Sequence, residues 1–458
     1  MGLLQGTNRF HLIGIGGIGL SAIARVLHGW GYQVTGSDQK TSALTDALIE
    51  EGISVFAGHR AEQVEGADVV VISSAVPADN PEVVAARRLG LPVVKREQLL
   101  GDLTASRTTI AVAGTHGKTT TSAMLAWILT QAGLDPTFIV GGVLQNLGTN
   151  ARAGRGPHFV IEADEYDRTF LGLKPHVAVI TTLEHDHPDC YPTLGEMVNA
   201  FETFAHQIQP GGLLIVCGQD PEAHALGKRY ESAGGRLETY GLDHSWNWRA
   251  EGVRLGHEAA MDVWHRGKLL GSCALQVPGR HNVLNALAAL AASHELQVGT
   301  DDALAALTRF RGTARRFEIK GQVREITVVD DYAHHPTEIQ ATLAAARHKY
   351  PGRRIWAVFQ PHTFSRTRAL LDGFAAAFQE ADRMIVTGIY AAREPHDLEV
   401  SGADIVARSQ HQDARYVESI PDVVALLLSE VKAGDIVITL GAGNGYLIGE
   451  RLLSELSE

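Results

Sequence analysis

The stretch Thr109-Ile110-Ala111-Val112-Ala113-Gly114-Thr115-His116-Gly117-Lys118-Thr119-Thr120 passes from an apolar run, through two glycines, into a lysine followed by threonines. Thr109–Ala113 carries no charge and reads as a buried strand, and Lys118–Ala132 reads as a helix. A strand, a glycine turn and a helix entrance in that order gather backbone N–H groups at the positive end of a helix dipole, an arrangement that suits a phosphate. Gly114, Thr115, His116, Gly117 and Thr120 would line such a cradle, Lys118 would reach the terminal phosphates, and the Thr119 hydroxyl suits magnesium. The spacing departs from G-x-x-x-x-G-K-[ST], because Val112 stands where the first glycine is expected. The donors are main-chain groups, so the chemistry survives that change. A Gly-Lys-Thr turn that binds nothing is the competing reading.

Outward from this loop, short β-rich runs alternate with helical patterns along the whole chain, which predicts βαβ units and a largely parallel sheet in each domain. Upstream, strands are expected at Phe10–Ile15, Gln33–Ser37, Ile53–Phe56, Val69–Ser73 and Pro92–Val94, with a helix over Leu20–Gly29 and a linker over Gly101–Thr108. Downstream, strands are expected at Phe159–Glu162, Val177–Leu183 and Leu213–Cys217, then polar hairpin-like structure over Trp246–Val277 and a helix from Asn282 to His294. Beyond a boundary near Arg311–Arg316, strands follow at Ile326–Asp330, Ile355–Phe359, Met384–Thr387 and Asp435–Leu440. At 458 residues the chain exceeds what one core serves. The expected class is α/β in three domains: residues 1–104 Rossmann-like, 105–312 a P-loop-type ATPase domain, and 313–458 a second Rossmann-like α/β domain.

Gly14-Ile15-Gly16-Gly17-Ile18-Gly19 fits G-x-G-x-x-G between the first strand and first helix, and Asp38 ends the next strand where a ribose-binding acid is expected. This pattern does not separate NAD from any other nucleotide diphosphate. Glu162-Ala163-Asp164-Glu165 and Leu183-Glu184-His185-Asp186-His187 both close apolar strands, at the ends where open α/β sheets place ligands. Beside a phosphate loop they suggest a magnesium site for ATP, although histidine is an unusual magnesium ligand and His187 reads equally as a hydrogen-bonded bystander. Asp330-Asp331-Tyr332-Ala333-His334-His335-Pro336 and Phe359-Gln360-Pro361-His362-Thr363-Phe364-Ser365-Arg366 end two consecutive strands of the last domain and suggest one cleft.

Composition narrows the classes. The formal net charge of -12 argues against a broad nucleic-acid or anionic-membrane interface. No apolar run reaches the ~18 residues of a membrane span, and Met1–His11 lacks a secretory pattern, so a cytoplasmic location is expected. The three cysteines are odd in number and widely spaced, unlike a disulfide framework or a zinc site.

Together these blocks resemble the Mur ligase family, most of all its alanine-adding branch, from the glycine loop at Gly14–Gly19 to Gly441-Ala442-Gly443-Asn444. The resemblance implies ATP-dependent joining of L-alanine to UDP-N-acetylmuramate through an acyl phosphate, with Mg²⁺. It assigns the three domains to UDP-sugar, ATP and amino acid in that order, and overrules NAD for the first glycine loop. By the same resemblance Gly14, Gly16, Gly17, Ile18, Ser37, Asp38, His59 and Ser74 line the UDP-sugar, and His281 and Asn285 contact adenine. Thr119, Glu162 and His187 hold metal, and Tyr332, His334 and Arg366 line the amino-acid cleft. Lys118, His187, His334 and Arg366 are the expected catalytic group, with His334 a proton acceptor by residue type alone. Thr363 replaces an arginine that some relatives carry. No lysine lies between Thr193 and Pro210, so no carbamylated lysine is expected. Rival readings are a murein peptide ligase, which attaches a tripeptide to the same nucleotide sugar, an NAD-dependent oxidoreductase, and a non-catalytic nucleotide switch.

Overall fold

A computed structural model describes residues 4, 6–73, 75–392, 394–395, 397 and 399–458. The chain forms two compact units that share it unevenly. The first takes Met1–Glu184, Gly195–Trp248 and Leu287–Ala306, and the second takes His185–Leu194, Arg249–Ala286 and Leu307–Glu458. The expected first and central domains therefore fall largely in one unit, each built on its own sheet.

The first sheet comprises β1 (Arg9–Ile13), β2 (Gln33–Asp38), β3 (Ser54–Ala57), β4 (Val69–Ile72) and β5 (Val93–Lys95). All its pairings are parallel, in the order β3-β2-β1-β4-β5. The order reverses between β1 and β4, and the glycine loop leaves β1 at that switch point, where an open α/β sheet leaves a crevice. Gly14 has φ +84°, and a Cβ there would lie 3.1 Å from Ser73 Oγ. The helix Ile18–Gly29 follows and buries Leu20, Ile23, Val26 and Leu27, an i, i+3, i+4 stripe.

Residues Gly101–Thr108 are not a linker. The helix Arg96–Ala105 occupies most of them and the next strand starts at Thr108. Leu99, Leu100 and Leu103 are buried along that helix, so its apolar face outweighs its polar composition.

The second sheet contains β6 (Thr108–Ala113), β7 (Thr137–Leu144), β8 (Thr149–Arg152), β9 (His158–Glu162), β10 (Val177–Ile180), β11 (Leu213–Cys217) and β12 (Arg236–Gly241). Within the first unit they run in the order β12-β11-β10-β6-β9-β7-β8, parallel except for the β7–β8 hairpin. β6 lies between β9 and β10, which brings both acidic strand ends beside the phosphate loop. β13 (Trp248–Leu255) carries the chain onward, and the second unit holds the antiparallel hairpin of β14 (Ala259–His265) and β15 (Lys268–Leu275). The helix expected from Asn282 starts at Arg280.

The last sheet is formed by β16 (Glu318–Val323), β17 (Ile326–Asp331), β18 (Ile355–Phe359), β19 (Arg383–Val386), β20 (Ala414–Tyr416) and β21 (Ile436–Leu440). Its order is β16-β17-β21-β18-β19-β20, with β16 the antiparallel edge. Strand alternation divides the core in two. Val329, Ala357, Phe359 and Ile438 pack on one face, and Val328, Trp356, Val358 and Val437 on the other. Both faces are buried, as a parallel sheet requires. No helix among the described residues is long and apolar enough to cross a membrane.

Candidate active site

The phosphate loop has the predicted form. β6 ends at Ala113, Gly114 turns at φ +127°, Gly117 caps the helix at φ +82°, and Lys118–Gln131 follows. Gly114 is fixed by crowding as well as by φ, since a Cβ there would lie 2.1 Å from Thr181 Oγ1. Thr115 Oγ1 donates to the Glu184 carbonyl (3.0 Å), the His116 amide donates to Thr182 Oγ1 (3.1 Å), and His116 Nε2 lies 2.6 Å from Glu184 Oε2. The loop is thus tied to the residues that continue β10. Thr120 is buried in the first turn of the helix.

Lys118 Nζ donates to the carbonyls of Gly114 (2.5 Å) and Thr115 (3.1 Å) and to Glu165 Oε1 (2.8 Å). Burial alone would lower the lysine, but the carboxylates of Glu165, Glu162 and Asp164 outweigh it and raise its pKa. Burial pushes Glu165 up to about 7, against the attraction of Lys118. Glu162 accepts from Thr119 Oγ1 (3.0 Å) on one oxygen and from the Gly141 amide (2.7 Å) on the other. A hydroxyl beside a carboxylate at the mouth of the loop is a hard-oxygen donor set of the kind Mg²⁺ takes.

The same unit carries the glycine loop. The Gly16 amide donates to Asp38 Oδ2 (3.0 Å), so the acid at the end of β2 braces the loop from below. Gly17 precedes the helix, and Ile18 is its exposed first residue. Ser37 is buried, and its hydroxyl donates to Glu82 Oε2 (2.8 Å). Glu82 also meets His11 Nε2 (2.7 Å) and His59 Nδ1 (3.0 Å). Burial would raise this carboxylate, yet hydrogen bonds from His11, Ser37 and His59 hold it below its ordinary value. Ser74 lies outside the described residues. Arg96 crosses from the first sheet to the second. Its Nη2 reaches Thr169 Oγ1 (3.0 Å) and Asp164 Oδ2 (3.4 Å), and with Gly19 and Glu162 it lines a cavity of about 50 Å³.

In the second unit a buried polar cluster surrounds Arg366. Its Nε and Nη2 contact Asp186 Oδ1 (3.0 and 2.9 Å), Nη1 faces His362 Nδ1 (3.3 Å), and Nη2 faces His187 Nδ1 (3.4 Å). Burial would raise Asp186, but the guanidinium holds it well below the carboxylate range. A ring nitrogen that accepts from a guanidinium carries no proton, so this contact places the His187 proton on Nε2. Ligation of a metal through Nε2 therefore requires the ring to release Arg366 first. His187 itself has φ +54°, a left-handed backbone uncommon outside glycine.

His334 donates Nδ1–H to the Tyr332 carbonyl (2.9 Å), and burial drives its pKa down to about 3. It is neutral near pH 7 and offers Nε2 as a hydrogen-bond acceptor, but it is a weak proton store. Tyr332 packs edge-on to His334 at 5.3 Å, under the guanidinium groups of Arg315 (4.9 Å) and Arg316 (5.2 Å). His362 is lowered to about 4 by burial and by Arg366. Thr363 begins the helix Phe364–Ala369 at φ +62°. His281, lowered to about 4 by burial and Arg316, opens the helix Arg280–Glu295. Asn285 Nδ2 donates to Asn282 Oδ1 (3.1 Å).

Sequence reading found the loops but not the pairings that brace them: Glu165, Asp186, Glu82 and Arg96 each meet a partner 47 to 180 positions away. Glu165 and Asp186 stood in the acidic strand ends read as a magnesium site, Glu82 is a carboxylate beside Val83 and Val84, and Arg96 carried no local signal.

Three family models match consecutive parts of the chain. They are Mur ligase family, catalytic domain (residues 9–108), Mur ligase middle domain (112–293), and Mur ligase, glutamate ligase domain (315–443). A UDP-N-acetylmuramate–L-alanine ligase from Caldanaerobacter subterraneus is 42% identical over 99% of this chain and 98% of its own.

The chain belongs to the Mur ligase family.

A second ligase of that name, from Salinibacter ruber, is 46% identical over 97% of this chain and 94% of its own. Among solved structures, the UDP-N-acetylmuramate–alanine ligase of Thermotoga maritima aligns with TM-score 0.83 and 32% identity, covering 98% of this chain and 99% of that one. A murein peptide ligase from Psychrobacter arcticus aligns with TM-score 0.71 and 28% identity, covering 99% of each. This Mur ligase therefore shares the architecture of both, with higher scores against the alanine-adding structure.

Proposed function

We propose that this Mur ligase joins L-alanine to the lactyl carboxylate of UDP-N-acetylmuramate at the expense of ATP. The observation that carries the reading is identity of 42–46% over nearly the full chain with ligases of that name, coupled to a phosphate loop beside two acidic strand ends. In this reading residues 1–104 take the UDP-sugar, 105–312 the ATP and 313–458 the amino acid.

A carboxylate has no leaving group, so it must be activated before an amine attacks it. Transfer of the γ-phosphoryl of ATP to the lactyl carboxylate gives an acyl phosphate, and the alanine amine then displaces phosphate. In the first step two anions approach, and the protein must offset their repulsion. Lys118, kept cationic by its three acidic neighbours, would turn its N–H donors from the loop carbonyls to the phosphates. Backbone amides of Gly114–Gly117 would hold the remaining oxygens. Thr119 and Glu162 fit a Mg²⁺ ion by donor chemistry, and when bound the ion would screen the phosphate charge. His187 would join a second such site once its ring leaves Arg366. Arg96, which lines a cavity with Gly19 and Glu162, would orient the anionic substrate where the nucleotide sugar meets the ATP in this reading. Arg366, anchored by Asp186, would supply a guanidinium for the alanine carboxylate, and His334 a neutral acceptor for its ammonium. His281 and Asn285 would contact the adenine.

The test is phosphate release from ATP with Mg²⁺, UDP-N-acetylmuramate and L-alanine, alone and in combination. Sustained release should need all four. Equal release without the nucleotide sugar would make the protein a plain ATPase. Competition between alanine and a tripeptide separates this reading from a murein peptide ligase, and alanine should be consumed first.

A further inference from the structure

Arg366 sits on a helix that does not hold itself. Phe364–Ala369 has 6 residues, far short of the ~12 that an isolated helix needs, and the side chain of Thr363 at its start makes no capping bond. Thr363 also has φ +62° and ψ 146°, a backbone region nearly confined to glycine and costly for a β-branched residue. The leading amides of this helix, and the backbone of Thr363, must be held from outside.

That support comes from the connection between β19 and the helix Gly402–Arg408. The Thr363 amide donates to the Tyr390 carbonyl (2.9 Å), and the Phe364 and Ser365 amides both donate to Glu394 Oε2 (2.6 and 3.0 Å). The Ser365 hydroxyl donates to the other oxygen of the same carboxylate. Three consecutive amides ahead of Arg366 therefore end on two residues of one distant connection. The Tyr390 amide returns a bond to the Pro361 carbonyl (2.9 Å), and its ring stacks on His362 at 5.8 Å. Beyond Arg366, Arg368 pairs with Asp397 and Glu399 of the same connection. Burial would raise Glu394, yet the Ser365 hydroxyl and the amides of Ser365 and Phe364 hold it below its ordinary value. It is an anion near pH 7, and a negative charge at a helix start is favoured.

We infer that Glu394 is a positioning residue for the amino-acid substrate: it caps the helix that carries Arg366 and so keeps the guanidinium in place for the alanine carboxylate. Without the cap, Thr363 relaxes from its strained backbone and the start of the helix turns with it, taking Arg366 along. The apparent affinity for alanine then falls in proportion to the molecules that still hold the competent arrangement. This inference rests on the proposed placement of alanine at Arg366.

Steady-state phosphate release by the full chain tests it, with alanine varied at saturating ATP, Mg²⁺ and UDP-N-acetylmuramate. Glu394→Ala should raise the alanine KM by roughly 10-fold, the worth of a charged cap, with kcat and the ATP KM within about 3-fold. Glu394→Gln keeps one acceptor for the amides but loses the charge, so it should raise that KM by roughly 3-fold. This milder variant carries the test if Glu394→Ala does not fold. In an Arg366→Ala background, Glu394→Ala should change the alanine KM by less than about 2-fold, because its effect passes through the missing guanidinium. A merely structural role would lower thermal stability and leave the alanine KM unchanged, or would multiply with Arg366→Ala, and either result would overturn the inference alone. An unchanged alanine KM in Arg366→Ala itself would overturn the placement of alanine and the inference with it.

Discussion

Replacing Asp186 by asparagine should destabilise the second unit by about 3 kcal/mol near neutral pH. The carboxylate oxygen lies 2.9 and 3.0 Å from two nitrogens of Arg366, and both side chains are almost wholly buried. Removing one partner of a buried pair costs ~3–5 kcal/mol, chiefly because the other charge is left in a poorly solvating place. Asparagine keeps an acceptor oxygen, and His362 and His187 still face the guanidinium, which puts the loss at the lower end. Arg366→Met removes the stranded charge, so the double variant should recover most of the loss. Urea unfolding followed by tryptophan fluorescence measures this, since Trp356 is buried in the same unit. A double-mutant cycle should return a coupling of about 2 kcal/mol or more, and one below ~0.5 kcal/mol would refute the argument. The pH dependence has a definite sign. Asp186 titrates lower in the folded state than its unfolded value near 4, so its contribution is complete above pH ~4 and fades as pH falls further. The gap between the unmodified protein and Asp186→Asn should narrow in acid.

Lys118→Ala should lower turnover by roughly 10³-fold or more, through loss of transition-state charge stabilisation, with the far-UV circular dichroism spectrum retained. Glu165, already raised to about 7, would take up a proton instead of remaining an unpaired buried anion. Glu162→Gln should raise the Mg²⁺ concentration for half-maximal rate by roughly 10-fold or more, since a hard anionic ligand becomes a neutral one, and a normal Mg²⁺ titration would remove Glu162 from the metal site. Arg366→Ala should raise the KM for alanine by roughly 10–200-fold, the loss of one charge-assisted bond of ~1.5–3 kcal/mol, with much smaller changes for ATP. An unchanged alanine KM would leave Arg366 as the anchor of Asp186 only.

Most of the sheet architecture was legible because strands of parallel sheets are contiguous apolar runs, and the phosphate and glycine loops because their chemistry is confined to six or eight adjacent residues. Leu213–Cys217 and Ile355–Phe359 fall where their composition puts them. The helix Arg96–Ala105 was hidden because its apolar face is short and interrupted by Gly101, Asp102 and Thr104, and its burial depends on tertiary neighbours. The edge strand β16 escaped for a related reason: Glu318, Lys320 and Gln322 interrupt it, its Ile319 is exposed, and it lacks the signature of a buried run. Site residues divide in the same way. Lys118 and Thr119 open the helix after the glycine turn, where the sequence places them, whereas Asp186 and Glu82 draw their meaning from partners on other elements, and single residues leave no local pattern.

The way the two units divide the chain has a consequence for its synthesis. The polypeptide passes from one unit to the other five times, and the earlier unit is not complete until Ala306. At ~5–20 residues per second a ribosome needs about 15–60 seconds to deliver that residue. Through that interval the first unit lacks the segment Leu287–Ala306, drawn from the helices Arg280–Glu295 and Thr300–Thr308, and the surface it will cover stays exposed to other chains. No single cut in the gene yields either unit whole. Truncated forms that end before Ala306 should therefore depend on chaperones or aggregate.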